Sequence, residues 1–291
     1  MRIRSLDRDF HLIYHNAISE GVRYFRCHPG LKSMVLGISG GIDSAVTAAL
    51  ANRVVKELKR EGRKIKLYGY SLPIISNKES EQQLSQLVGE AFCNEFSMVS
   101  LDGTFNRLLP SIDGSLVPRD HAVRLGNIKA RLRMMFLYDK ANKYEGLVLS
   151  TDNYTEYLLG FWTLHGDVGD FGFIQNLWKT EVYGLANWMV KNQLKGEELI
   201  MSQVVEAMPT DGLGVSETDM DQLFPEWRNM FHGCDMKMMP QIVYLRIDES
   251  LLSILEGSKS IVGPAVPLEK RFHATQFKRE NPFNISRDRL V

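Results

Sequence analysis

Residues 34–58 place a strand, a glycine-rich turn and a helix in immediate succession. Met34-Val35-Leu36 is an apolar run, Gly37-Ile38-Ser39-Gly40-Gly41-Ile42-Asp43-Ser44 follows directly, and Ala45 to Leu58 has helical character. This succession is a phosphate cradle. Its glycines let the backbone turn tightly and approach an anion with no Cβ in the way. The helix start offers unpaired N–H groups and the positive end of the helix dipole. The common nucleoside-triphosphatase loop does not fit, because no Lys-Ser or Lys-Thr pair follows the glycines. Instead Asp43 lies inside the cradle. A carboxylate beside bound phosphates needs a bridging cation, which makes Asp43 a candidate Mg²⁺ ligand. A plain turn capped by Asp43 and Ser44 would not require so particular a string as Ser-Gly-Gly-x-Asp-Ser.

The surrounding pattern predicts a doubly wound α/β domain with a mostly parallel, Rossmann-like sheet and helices on both faces. Leu6, Phe10, Ile13, Ala17, Ile18, Val22 and Phe25 recur at helical spacing. Strands are predicted at Met34 to Ile38, Ile65 to Leu72, Ser97 to Leu101 and Gly146 to Ser150. An amphipathic helix carries Leu84, Leu87, Val88, Ala91 and Phe92. A loop through Pro110, Gly114 and Pro118 leads into a helix from about His121 to Ala141, and a further helix runs from about Lys179 to Lys191. Ligands of such sheets bind at the carboxyl ends of the strands, where Gly37 to Ser44, Leu72 to Asn77 and Thr151 to Glu156 all fall. Glu156, just past a strand end, is the second candidate Mg²⁺ ligand. His121 and His165 are read as structural, and Met230, Met236, Met238 and Met239 as packing.

Composition narrows the classes. The 291 residues carry 35 basic and 35 acidic side chains, which argues against a dedicated nucleic-acid binder. Cys27, Cys93 and Cys234 are scattered and odd in number, the usage of a reduced, cytoplasmic protein. No apolar run approaches the length of a membrane span, and the first residues lack a signal-peptide core. The expectation is one domain over residues 1–291, with 268–291 as a basic tail holding six Lys or Arg against three acids.

The glycine loop resembles the pyrophosphate loop of the N-type ATP pyrophosphatases. Four further segments are similar to the NAD synthetase branch of that superfamily: Gly126-Asn127-Ile128-Lys129-Ala130-Arg131, Thr151 to Glu156, Gly166-Asp167-Val168-Gly169-Asp170, and Leu177-Trp178-Lys179. The resemblance implies ATP as co-substrate, bound by Gly37 to Ser44, Thr151, Lys179 and Thr210, with Mg²⁺ on Asp43 and Glu156. Asp43, Glu156 and Lys179 are the implied catalytic groups. Deamido-NAD would be held by Arg131, Asp170 and Lys278, then adenylated and amidated by ammonia, with AMP and pyrophosphate released. The resemblance also implies a homodimer, no nucleic-acid or membrane partner, and no glutaminase domain. The chain departs from the family on the acceptor side. Leu164 stands where a substrate-contacting lysine is usual, the loop to Asp170 is one residue shorter, and the C-terminal basic signature is reduced to Phe277-Lys278-Arg279. Another adenylating amide synthetase of this fold, acting on a different carboxylate, is the alternative those departures suggest; a nucleotide-binding module without catalysis is a lesser one.

Overall fold

The computed structural model describes residues 8–75, 77–112, 121–210, 212–257, 263 and 265–289. In chain order these form α1 (Phe10–Cys27), β1 (Ser33–Gly37), α2 (Ile42–Arg60), β2 (Lys66–Ser71), α3 (Glu79–Phe92), β3 (Glu95–Met98) and α4 (Asp102–Ile112). There follow α5 (Ala122–Lys143), β4 (Gly146–Ser150), α6 (Tyr154–Leu159), β5 (Phe171–Gly172), α7 (Lys179–Asn192) and α8 (Glu198–Glu206). The rest is helical: α9 (Asp219–Leu223), α10 (Trp227–Met230), α11 (Met239–Leu255), α12 (Ala265–Ala274) and α13 (Gln276–Arg279).

Every strand pairs in parallel, in the order β3-β2-β1-β4-β5. Side chains alternate across a strand, so β1 feeds two cores. Met34 and Leu36 pack with α1, α2 and α7, while Val35 packs with Phe105 of α4 and Leu132, Met134 and Leu137 of α5. A sheet covered on both faces explains why β1 and β4 read as unbroken apolar runs. The central helix α2 has small residues at Ala45, Ala48, Ala49 and Ala51, all buried, which lets it lie close against the sheet. The first core is continuous from Tyr14 to Leu268.

The order reverses beside β1. One run of the chain goes outward through β2 and β3, the other through β4 and β5. The loops after β1 and β4 therefore open side by side at the switch point, where such sheets bind ligands.

Four differences from the sequence expectation have local causes. β3 lies at 95–98 instead of 97–101, although Val99 and Leu101 still donate to Ser71 and Pro73 carbonyls across the same edge. Pro110, expected in a loop, lies near the end of α4, a helix anchored by buried Phe105. β5 is two residues long and carries no periodic signal. Residues 268–291 were read as a tail, yet Leu268 is fully buried, α12 packs on α6, and α13 reaches the end of α6 through Lys278 and Arg279. Leu6, Gly114, Pro118 and the last residue of the predicted tail, Val291, lie outside the described residues.

Candidate active site

The loop between β1 and α2 is built to leave donors free. Gly40 has φ +88°, and a Cβ there would stand 2.6 Å from the Glu81 carbonyl oxygen and 3.0 Å from the Ser85 nitrogen, so only glycine lets the loop lie against α3. Ser39 and Ser44 brace it from within. The Gly41 N–H donates to Ser39 Oγ at 3.2 Å, Ser44 Oγ donates to the Gly41 carbonyl at 3.0 Å, and the two hydroxyls are 3.1 Å apart. Gly41, the N-cap of α2, contributes no side-chain cap. The first turn of α2 therefore presents N–H groups and dipole to the cavity in front of it, a ready anion site.

That cavity has a volume of about 650 Å³ and is lined by the whole of Gly37 to Ser44, by Thr151 and Glu156 after β4, by Lys179, and by Thr210. Lys179 is the first residue of α7 and 2% exposed, and its ammonium joins two carboxylates from other elements. Nζ donates to Asp43 Oδ2 at 2.5 Å and to Glu156 Oε1 at 3.1 Å. Asn153, the N-cap of α6, ties the same groups together: its Nδ2 donates to Asp43 Oδ1 at 3.0 Å, and its Oδ1 accepts the Glu156 N–H at 3.0 Å. These side-chain bonds join the loops after the paired strands β1 and β4 to the start of α7 at one point.

Electrostatics follow from this geometry. Burial opposes the charge on Lys179, but Asp43 and then Glu156 outweigh it and hold the amine well above its ordinary value, so it remains an ammonium. Burial pushes the Glu156 carboxyl up to about 6, with Lys179 pulling it down and Asp43 raising it. Asp167 is pushed up to about 7, chiefly by burial, against the Thr163 N–H that it accepts at 2.8 Å. Asp152 is raised well above the carboxylate range by burial and then by Asp167 and Glu156. Asp43, Asp152, Glu156 and Asp167 gather on one side of the cavity around the buried Lys179, an arrangement that favours further bound positive charge.

A second cavity, of about 620 Å³, adjoins the first through Met134, Asp152, Trp162 and Lys278. Arg131, Tyr138, Tyr157 and His165 also line it. Arg131 is exposed there, its Nε donating to the Leu164 carbonyl at 3.2 Å. Lys278 Nζ donates to the carbonyls of Gly160, at 2.7 Å, and Trp162. Asp170 is set apart from both cavities. Its Oδ1 accepts Tyr138 Oη–H at 2.8 Å and its Oδ2 accepts the Val148 N–H at 2.9 Å. Thr210 donates to Glu81 Oε1 at 2.7 Å, closing the far side of the first cavity.

Asn153, Asp152 and Asp167 lie in segments that the sequence singled out, but none was assigned a role in the site. Asn153-x-x-Glu156 is a capping-box pattern and was available as a signal; the burial of Asp152 and Asp167 was not. Arg133 was also missed. It lines the first cavity while its guanidinium donates to the carbonyls of Leu72 and Gly212 and to Asn77 Oδ1, and nothing local distinguishes it from Arg131.

The order of the sheet, the uncapped glycine loop at its switch point and the acid pair around a buried lysine define a doubly wound α/β nucleotide-binding protein of the pyrophosphate-loop type. Residues 15–282 match the NAD synthase family model, and the chain belongs to that family. The NH(3)-dependent NAD(+) synthetase of Pyrococcus furiosus is 30% identical over 266 residues, covering 89% of this chain and 90% of that one. The glutamine-dependent NAD(+) synthetase of Thermotoga maritima is 28% identical over 236 residues, 81% of this chain but 38% of that protein. Among solved structures, the NMN synthetase of Francisella tularensis superposes with a TM-score of 0.73 at 24% identity, over 97% of this chain and 100% of that one, a likeness of fold.

Proposed function

We propose that the chain is an ammonia-dependent ligase that amidates deamido-NAD to NAD, driven by conversion of ATP to AMP and pyrophosphate. The observation that carries this reading is the meeting of Asp43, Glu156 and Lys179 in front of the uncapped start of α2. The glycine loop and α2 would hold the β- and γ-phosphates, and Thr151 and Thr210 the rest of ATP, in the first cavity. The acceptor lies in the second, against Arg131 and Lys278. Asp170 serves that side through Tyr138, which it fixes in the wall.

Mg²⁺ fits the donors present. Among the described residues no group of three or more His, Cys, Asp or Glu could cage a metal. Two hard carboxylates, Asp43 and Glu156, face the phosphate side, and Mg²⁺ completes such a shell with phosphate oxygens and water. Held there, it would neutralise phosphate charge. Lys179 contributes a fixed positive charge beside it, in a buried setting where such charges act strongly. The acceptor carboxylate is already a nucleophile; its oxygen attacks the α-phosphorus as the bond to pyrophosphate breaks. Ammonia then attacks the acyl carbon, AMP leaves, and the proton shed by nitrogen passes to a base. Asp167, a half-buried carboxylate in the wall of the first cavity, would take it.

Pyrophosphate and AMP should appear when ATP, Mg²⁺, deamido-NAD and ammonium are all present, with nicotinate mononucleotide run beside deamido-NAD because of Leu164. No release with deamido-NAD would overturn the acceptor assignment, and efficient turnover on glutamine alone would overturn the nitrogen donor.

A pH series in which total ammonium is adjusted to keep free ammonia constant tests Asp167. Its folded pKa is raised to about 7, so the base form fills as pH climbs through that value. The rate is expected to rise and then level off above about pH 7, and Asp167→Asn should lose both the rate and the inflection. A rate that at constant free ammonia shows no change through about pH 7 would exclude Asp167 as the base.

The homodimer that the resemblance implies would draw on α1 and α5, whose Leu12, Val123 and Met135 stand exposed. No helix among the described residues is long and apolar enough to cross a membrane.

A further inference from the structure

Behind the reacting groups lies a carboxylate that the mechanism above does not use. Asp248 is in the middle of α11, fully buried. Its Oδ1 accepts Thr155 Oγ1–H at 2.6 Å, and its Oδ2 accepts both the Thr180 N–H at 3.0 Å and Thr180 Oγ1–H at 2.8 Å. Thr155 and Thr180 occupy the same place in two different helices, the second position of α6 and of α7. Each is a chain neighbour of a reacting group: Glu156 follows Thr155, and Lys179 precedes Thr180.

The connection is tighter still. Thr155 Oγ1, while donating to Asp248, accepts the Lys179 N–H at 2.9 Å. Two successive N–H groups at the start of α7 thus depend on Asp248, one directly and one through Thr155. The N–H before them, of Trp178, is taken by Glu181 Oε2 at 2.9 Å. One turn earlier on α11, the Tyr244 ring lies 5.2 Å from Lys179 Nζ. A carboxylate at the positive ends of two helices at once is favourable electrostatically. It also leaves little freedom for one helix start to move relative to the other, since each of its oxygens is committed to a different helix.

We propose that Asp248 is a positioning residue for the adenylation step, fixing the separation of Lys179 from Glu156 by clamping the starts of α7 and α6 together through Thr180 and Thr155. This rests on the activity proposed above. Asp248 touches neither cavity, so it binds nothing that reacts. Its effect reaches the chemistry as geometry, and misplacement of about 1 Å can cost on the order of 100-fold in rate.

Asp248→Leu is close to the same size and removes both acceptor oxygens, so the Thr155 hydroxyl and the Thr180 N–H and hydroxyl all lose their partner and the clamp opens. Thr155→Val keeps shape and removes both the donor to Asp248 and the acceptor for Lys179. Each variant is expected to lower kcat by roughly 10- to 100-fold while the KM for ATP stays within about threefold, because the cradle at 37–44 is untouched. The double variant should lose little more than the worse single one, since the two residues act as a unit. Crystal structures of the two single variants should show Lys179 Nζ drawn away from Glu156. If the parent enzyme releases no pyrophosphate, the activity proposal fails, and the Lys179–Glu156 distance in these structures still decides the role of Asp248. A kcat within about twofold of the parent in either folded variant, fully multiplicative losses in the double variant, or an unchanged Lys179–Glu156 distance would each overturn the proposal.

Discussion

Replacing Lys179 with methionine is expected to reduce turnover by about 1,000-fold and to destabilise the fold by about 3 kcal/mol at pH 8. The side chain is 2% exposed and its ammonium is bonded to Asp43 and Glu156, themselves largely buried. Methionine fills much of the same volume, so the loss comes mainly from charge: two carboxylates are left facing each other with no cation. The pH dependence follows from Glu156. Its carboxyl is already raised in the folded protein from 4.5 to about 6, with Lys179 pulling it down. Without the lysine it rises further. A carboxyl raised on folding binds its proton more tightly in the folded than in the unfolded state, so the ionised form is what costs stability. The deficit of the variant is therefore small near pH 4.5 and grows as pH climbs through and beyond about 6. Urea denaturation of parent and variant at several pH values measures this directly. A stability difference that shrinks with rising pH would show that the lysine is not what offsets these acids. Mg²⁺·ATP should recover part of the loss by supplying a cation to the same carboxylates.

The legibility of this site in the sequence depended on how local each feature is. The glycine loop is contiguous, and its strand and helix flank it directly, so 37–44 could be placed without any long-range information. β4 was found residue for residue because a strand buried on both faces is a plain apolar run between a glycine and a polar turn. Glu156 was found by its place after that strand. What the sequence concealed is every relation across the fold. Asp248 is 93 residues from Thr155 and 68 from Thr180, and in sequence it is one of two adjacent acids, with Glu249, on an amphipathic helix. Asp167 looks like any loop aspartate until burial lifts its pKa. Of the basic residues of the C-terminal segment, Lys278 was expected to hold an anionic acceptor. It lines the second cavity, and it, Arg271 and Arg279 also donate to the carbonyls of Gly160, Leu159 and Leu158 at the end of α6. Cations at a helix C-terminus are favourable in their own right, and a composition count cannot separate that role from ligand binding.

Asp43→Asn separates the charge of the cradle from its shape. The side chain is part-buried and its oxygens have distinct partners, Asn153 Nδ2 on Oδ1 and Lys179 Nζ on Oδ2. An asparagine must turn its amide oxygen to one and its NH₂ to the other. With Lys179 taking the oxygen, the new NH₂ faces the NH₂ of Asn153. Asn153 cannot flip to relieve this, because its own oxygen caps α6 at the Glu156 N–H. The fold should survive, since volume is unchanged and the first core is not touched. Turnover should fall by roughly 100- to 1,000-fold, the scale seen when one group aimed at developing charge is removed. The loss should also depend on metal: with one carboxylate gone, the Mg²⁺ concentration for half-maximal pyrophosphate release should rise, while the pure charge loss persists at saturation. Titrating Mg²⁺ against pyrophosphate release in parent and variant reads both effects in one series. Turnover restored to the parent level at high Mg²⁺ would confine Asp43 to recruiting the ion. Turnover and Mg²⁺ dependence both unchanged would remove it from the reaction, and leave the glycine loop to bind phosphate through its backbone and the α2 dipole alone.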